Sequence, residues 1–376
     1  MKALLKRMFS GTALLDNPVL DLHLGGNRGA PNVLIFTEHL NATYFISFDI
    51  PLRALHAKGK YNFAVVAQAT VASQGEDCWR KVAEFFRPDI VVMTRYGSPY
   101  GPEIVEGFKG LGIPVIYHID DNLLNIPPSL GAEIQKRQGA QDVIESRAAQ
   151  LAGCDLIYAS TARLAAELGR RFPAQPIFHG IYAPYLGDAL VAAEQGKAKP
   201  IIGYMGSKGH QEDIELVAPA VERLLNERPE LRFEIFGTIQ MPPSLAHFGN
   251  RVSAHKVNKS YQEFLKVLSD LGWQVGLAPL VNEPFNLCKA PTKYIEYTAA
   301  GIPVIASNVP VYADVIPNGG GLLVDDDWYM PLVAMLDGAQ LRGQTLATAR
   351  AYCSENFSTR HLEMQLMNVM EKVLRR

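Results

Sequence analysis

The sequence is short of several things, and each shortage closes off a class of protein. Its four cysteines stand far apart, at Cys78, Cys154, Cys288 and Cys353, with no Cys-x-x-Cys pair. That spacing excludes a disulfide framework and offers no zinc or thiol-redox motif, so a reducing cytoplasmic setting is expected. No apolar run reaches the roughly 18 residues of a spanning helix. Formal net charge is only -2 over 376 residues, which gives nucleic acid no whole-chain attraction. Fixed-period repeats and low-complexity tracts are also missing. Met1 to Phe9 is basic and apolar but lacks the longer apolar core and cleavage site of a signal peptide. A docked or frayed helix is expected there. Lys2, Lys6 and Arg7 beside Leu4, Leu5, Met8 and Phe9 make it the one place for a membrane-touching turn, at the inner face of a membrane.

What is present is a rhythm. The chain is longer than one core usually holds, so two domains are expected. Short apolar runs at Val33–Phe36, Phe63–Val66, Ile90–Met93, Val115–Tyr117 and Leu156–Tyr158 read as buried strands. Amphipathic stretches between them, including a long one over Ala132 to Ala152, read as helices. The rhythm stops around Gly180 to Pro200 and then restarts. Ile201–Met205, Arg232–Phe236, Val275–Ala278 and Pro303–Ala306 are the next strands. Ile214 to Asn226, Tyr261 to Leu271 and Thr292 to Ala300 are among the next helices. Alternation of this kind predicts an α/β fold, with two Rossmann-like doubly wound domains facing a cleft. The expected domains cover residues 1–185 and 200–356, with a last helix over 357–376 packing back on the first.

One segment carries most of the chemistry. Leu277 to Ser307 reads as strand, loop, helix, glycine stop and strand. Its helix begins near Pro291-Thr292, where unpaired amides and the positive helix end favour phosphate. Lys289 and Lys293 add point charges at that end, as a diphosphate needs. Glu296, one turn in, is placed to accept both hydroxyls of a ribose. Singly these are ordinary surface residues; it is their combination that points to a nucleotide.

Phe285-Asn286, Lys289, Lys293, Glu296-Tyr297 and Ala300-Gly-Ile-Pro-Val-Ile-Ala-Ser307 resemble the donor-site signature of GT-B glycosyltransferases of the family 4 type. The nearest likeness is to a branch found in bacterial polysaccharide assembly. Ile201 to Ser207 with His210 and Asp213 is similar to the opening of that group's donor domain. Ile113 to Asp121 and Tyr158 to Thr161 are similar to its acceptor domain. The resemblance implies that the second domain binds a nucleoside diphosphate sugar. Glu296 would hold the ribose, and Lys289 with amides near Thr292 and Lys293 would face the diphosphate. It implies transfer to a hydroxyl of a glycan or lipid-linked glycan, with retention of configuration. The family's usual earlier glutamate falls at Cys288 here. Either Glu283 loops back to the transferred sugar or that contact is absent. Where the family has arginine, this chain has Ser207-Lys208, which makes Lys208 a candidate phosphate ligand. Gly206, Ser207, Gly237, Thr238 and Asn286 complete the expected donor site.

On the other domain, Val115 to Asn122 ends a strand in Asp120 and Asp121. Adjacent residues on an extended chain point opposite ways, so only one of the pair is expected to face the substrate and meet the acceptor hydroxyl; the competing reading is that one of them caps the following turn. Both are candidate catalytic residues. Asn41, Thr43, Arg95 and His118 are the candidate acceptor-side residues, with His118 also open to a structural reading. His210 has two open roles, toward a donor phosphate or toward the sugar. No Asp-x-Asp motif in the setting used by metal-dependent transferases is recognised, so neither metal nor other cofactor is expected. A non-catalytic nucleotide-sugar-binding subunit and a sugar-nucleotide epimerase are the competing readings.

Overall fold

The computed structural model describes residues 19–187, 200–256 and 261–375. The turn expected over Met1 to Phe9 and the Gly196 to Lys199 part of the expected connection lie outside them. Two compact units result. One comprises the described residues through Leu124, Gln138–Gly180 and those from Leu362 on; the other comprises Asn125–Arg137 and the described part of Ile181–His361.

The first unit has seven strands: β1 (Leu22–Leu24), β2 (Asn32–Thr37), β3 (Asn62–Ala67), β4 (Ile90–Thr94), β5 (Val115–Ile119), β6 (Leu156–Ala159) and β7 (Ile177–His179). Their order in the sheet is β1-β3-β2-β4-β5-β6-β7, parallel except for β1 against β3. Strands β3 to β6 are buried along their whole length, as runs of Val, Ile and aromatic residues demand when helices cover both faces. Thr37 pairs with Thr94, and Thr94 with His118, so the carboxyl ends of β2, β4 and β5 lie level. Glu38, Arg95 and Asp120 therefore leave the sheet at one edge. The final helix, Thr359–Leu374, buries Leu366, Val369 and Met370 against Phe48, Phe63 and Tyr158 of this unit.

The second unit has six strands: β8 (Ile201–Gly206), β9 (Arg232–Gly237), β10 (Val252–His255), β11 (Val275–Ala278), β12 (Val304–Ser307) and β13 (Leu322–Val324). All are parallel, in the order β10-β9-β8-β11-β12-β13. A side chain at Gly203 would sit 1.8 Å from the Trp273 ring, so glycine there lets the indole lie directly on β8. Gly276 gives the Tyr297 ring the same access to β11.

Three expectations are corrected. The first domain is not continuous to residue 185: residues 125–137 belong to the second unit, where Leu130 and Ile134 lie against Gly209. The long helix over 132–152 is two helices, Ala132–Gln138 and Gln141–Gly153, parted at Gly139-Ala140. The helix expected from Ile214 to Asn226 is likewise two, Gln211–Glu215 and Ala218–Glu227, with Pro219 opening the second. Among the described residues no helix is long and apolar enough to cross a membrane.

Candidate functional site

In the second unit the site is built around the helix Thr292–Ala299, entered from β11 through a loop containing a short turn at Asn286–Cys288. Tyr297 locks this helix onto the sheet: its hydroxyl donates to the Leu277 carbonyl at 3.1 Å and accepts from the Met205 amide at 2.7 Å. Gly301, with φ 82°, ends the helix, and Pro303 precedes β12. Glu296 is 7% exposed, and its Oε1 accepts from the Tyr261 hydroxyl at 2.8 Å. Burial pushes its carboxyl up to about 7, against the pull of the Tyr261 bond and Lys293. Lys293 is itself brought down to about 8 by burial, with Lys289 lowering it further and Asp213 and Glu296 opposing. Its ammonium lies 5.7 Å from the centre of the Tyr204 ring, and that of Lys289 lies 5.2 Å from the Phe285 ring.

His210 and Asp213 join this cluster. The two side chains meet at 2.6 Å between Nδ1 and Oδ2, while Asp213 Oδ1 accepts from the Val281 amide at 2.8 Å. The loop after β11 is thereby tied to the turn after β8. Burial, Lys293 and Lys289 bring His210 down to about 3. Burial opposes the charge of Asp213, yet its bond to His210, Lys293 and the Val281 amide hold it below the usual carboxylate range. His210 is therefore neutral. With the Nδ1 proton given to Asp213, Nε2 is left as an acceptor. Glu283 lies within the same field: burial and Glu212 raise its carboxyl, and Lys289 pulls it back. Asn286 is 4% exposed; its amide nitrogen donates to the Val281 carbonyl, and its Oδ1 is buried with no hydrogen-bond partner among the described residues.

Gly206 and Gly237 are backbone positions. A side chain at Gly237 would come within 2.3 Å of the Gly206 carbonyl, and its φ of 124° is one only glycine adopts readily. Thr238 closes this corner: its amide donates to the Gly206 carbonyl at 3.0 Å, and its hydroxyl accepts from the Lys208 amide at 3.2 Å. Ser207 precedes the short turn Lys208–His210. The Lys208 ammonium pairs with Glu133 at 3.4 Å on the surface.

In the first unit a second cluster forms where β2, β4 and β5 end. Arg95 Nη1 reaches Asp120 Oδ1 at 2.5 Å and Asp121 Oδ2 at 3.2 Å, and its Nε is 3.6 Å from Glu38. Asp120 Oδ2 accepts from Thr43 at 2.8 Å. Burial opposes the charge of Asp120, but Arg95, His118 and the Thr43 bond hold its carboxyl below the usual range. The two aspartates do not diverge as expected. β5 ends at Ile119 and the chain bends, so both carboxylates turn to one guanidinium. Two acceptor-side candidates already have partners within this unit. His118 is 1% exposed, bonded to Thr94 at 2.8 Å and wedged between Phe48 and Tyr158, with burial bringing it down to about 4. Asn41 caps a helix by accepting from the Tyr44 amide at 3.2 Å.

Sequence reasoning passes over the residues behind this cluster. Gln138 donates to Glu38 and accepts from Arg147, which is 1% exposed. The one signal for them is a pair of polar residues, Arg147 and Gln150, on the buried face of the helix Gln141–Gly153. The Asp-x-Asp spacing does occur once, at Asp325 to Asp327, in the exposed turn after β13. Asp325 accepts there from Asn308 and Asp327 from the Tyr329 amide.

Residues 199–335 match the family profile described as glycosyl transferases group 1. No curated protein matches the chain by sequence. Among solved structures, a glycosyltransferase from Rickettsia africae aligns with a TM-score of 0.64 at 14% identity, covering 92% of this chain and 99% of that one. HepE from Anabaena, in complex with UDP and glucose, aligns at 0.62 and 11% identity, covering 91% and 100%. The UDP-forming α,α-trehalose-phosphate synthase of Burkholderia vietnamiensis aligns at 0.61 and 10% identity, covering 91% and 99%. The likeness runs through both units and establishes the shared fold.

Proposed function

Proceeding from a chain of GT-B fold whose residues 199–335 match the glycosyl transferases group 1 profile, we propose that the protein moves a sugar from a nucleoside diphosphate sugar to a hydroxyl of a glycan or glycolipid. The observation that carries the reading is Glu296. A carboxylate buried one turn inside a helix, with Lys293 beside it and Lys289 in the loop before it, fits a ribose attached to a diphosphate.

Each residue then has a task. Glu296 accepts the ribose hydroxyls. The amide end of the helix at Thr292 and Lys293, with Lys289, takes the charge that gathers on the leaving diphosphate, so no metal is required for that step. His210, neutral and bound through Nδ1 to Asp213, offers Nε2 to a hydroxyl of the transferred sugar rather than to a phosphate. The buried Oδ1 of Asn286 suits a second hydroxyl. In the reaction the acceptor oxygen bonds to the anomeric carbon, the bond from that carbon to the phosphate oxygen breaks, and the acceptor proton leaves with the diphosphate. Asp120, held ionised by Arg95, is a poor base and serves to orient the acceptor. That weakness favours a retaining course, in which the leaving group itself takes the proton. A role in surface polysaccharide assembly, in the cytoplasm at the inner face of a membrane, completes the proposal. The buried cysteine thiols, none in a disulfide, agree with that setting.

The test is a panel of nucleoside diphosphate sugars, read first by thermal shift and then by release of nucleoside diphosphate. Glu296→Ala is expected to weaken the best donor by about a hundredfold, the loss of charge-assisted bonds to ribose. Unchanged donor affinity in that variant removes the ribose assignment. Donor binding without any release of nucleoside diphosphate would make the chain a binding subunit instead.

A further inference from the structure

We propose that Tyr261 is a positioning residue for the donor, its hydroxyl fixing Glu296 in the orientation that meets the ribose. The inference rests on the ribose reading of Glu296 and deepens it. Tyr261 opens the helix Tyr261–Asp270, and its hydroxyl donates to Oε1 of Glu296 at 2.8 Å, leaving Oε2 to the nucleotide. The hydroxyl is delivered by a stiff support. The Tyr261 ring is 9% exposed and lies 6.0 Å from Phe264 at 17°. Phe264 in turn stacks on Phe236 at 5.0 Å and 12°. Phe236 is part of β9, next to Gly237, so the stack runs from the sheet to the carboxylate. A glutamate side chain on a helix has several rotamers to lose on binding; one already fixed by a hydrogen bond has fewer.

The charge environment supports the same role. Lys293 and Tyr297 face Glu296 from its own helix, Tyr312 from the helix Pro310–Ala313, and Tyr261 from the helix it opens. Of these, the Tyr261 bond does most to offset burial, ahead of Lys293. Removing the hydroxyl leaves burial less opposed. At neutral pH the carboxyl then holds its proton more often and offers less to two ribose hydroxyls.

Calorimetric binding of the donor chosen by the panel, UDP-glucose taken first, tests this across about pH 6 to 8.5 with wild type, Tyr261→Phe and Glu296→Ala. The diphosphate of such a sugar is esterified at both ends and does not itself titrate in that range. Lys293 does, and Glu296 helps to hold its charge, so the pH-dependent ratio is read between wild type and Tyr261→Phe, which both keep that carboxyl, and Glu296→Ala is read for overall affinity. Tyr261→Phe keeps the ring and the stack. It is expected to weaken binding by about tenfold at neutral pH, with the part due to protonation regained toward the alkaline end and the part due to lost orientation remaining. Binding equal to wild type at every pH overturns the proposal, and so does a loss that persists in full when Tyr261→Phe is combined with Glu296→Ala; the second result marks Tyr261 as merely structural. If Glu296→Ala binds as well as wild type, it is the ribose reading that has failed.

Discussion

Asp120 and Glu296 are both buried carboxylates, 7% exposed each, and their surroundings push them in opposite directions. Asp120 has a partner for each oxygen, Arg95 on one and Thr43 on the other, and is held below its ordinary range. Glu296 has a neutral phenol on one oxygen and is pushed up to about 7. Burial is common to both; what differs is the compensation. An ion pair at 2.5 Å offsets desolvation, whereas a single neutral hydrogen bond does not. The first carboxylate is complete within its own unit. The second is incomplete, and a ligand bringing hydroxyl donors would complete it. A site poised for a ligand is recognised by that unmet demand.

Breaking the completed cluster has the largest expected effect. Asp120→Asn keeps the shape of the side chain but removes the charge opposite Arg95. Turnover is expected to fall by about a hundredfold, the scale of a lost electrostatic contact at a reacting centre, with donor affinity unchanged. Steady-state release of nucleoside diphosphate beside calorimetric donor binding checks this. Normal turnover would reduce Asp120 to a clamp for the ends of β4 and β5.

The incomplete carboxylate can be examined through stability. The carboxyl of Glu296 goes from an ordinary value of 4.5 to about 7 in the fold. Between those values the folded chain holds a proton that the unfolded chain has released, so stability falls as pH rises through the window. Glutamine carries no such cost. Glu296→Gln is therefore expected to be more stable than wild type above about pH 7, by up to about 3 kcal/mol, and to lose that advantage near pH 4.5. Urea unfolding followed by tryptophan fluorescence reports on this, because Trp273 and Trp328 both lie in the second unit's cores. The same variant is expected to bind donor more weakly, so that gain of stability and loss of function go together. A stability difference that does not change with pH would mean that the burial of Glu296 is not costly.

The two regions are also unequally legible in the sequence. Leu277 to Ser307 is one continuous stretch, and its strand, loop, helix and glycine stop are local signals. Lys289, Lys293 and Glu296 fall at one helix end on sequence spacing alone. The buried parallel strands β2 to β6 are legible for the same reason, as unbroken apolar runs. The strands β1, β7, β10 and β13 are not: each has three or four residues, and none is buried along its whole length. The Asp120 cluster assembles residues from three strand ends. Its support from Gln138 to Glu38 spans 100 positions, and no periodicity reveals a pairing at that distance. The direction of Asp121 departs from expectation because alternation holds only while the strand lasts, and β5 stops at Ile119. Tyr261 gives no signal of its role because a tyrosine opening an amphipathic helix reads as core.

The smallest expected effect concerns the lysines, and it sharpens the contrast between a poised site and an ordinary surface. Lys208 stands after β8, where the resemblance expects a cation. Its side chain is 63% exposed and that of its partner, Glu133, 81% exposed. A pair so exposed contributes less than about 1 kcal/mol, since water and salt already screen it. A lysine so exposed is screened from a diphosphate in the same way, and Lys208→Ala is expected to change donor affinity by less than about fivefold. Lys289, partly buried beside the helix end, has less screening, and Lys289→Ala is expected to weaken the donor by about tenfold. Titrating both variants at low and high salt separates the cases, because a screened contact fades with salt and a desolvated one persists. Equal losses in the two variants would move the diphosphate toward Gly206 and Ser207, and with it the ligand that Glu296 is read to await.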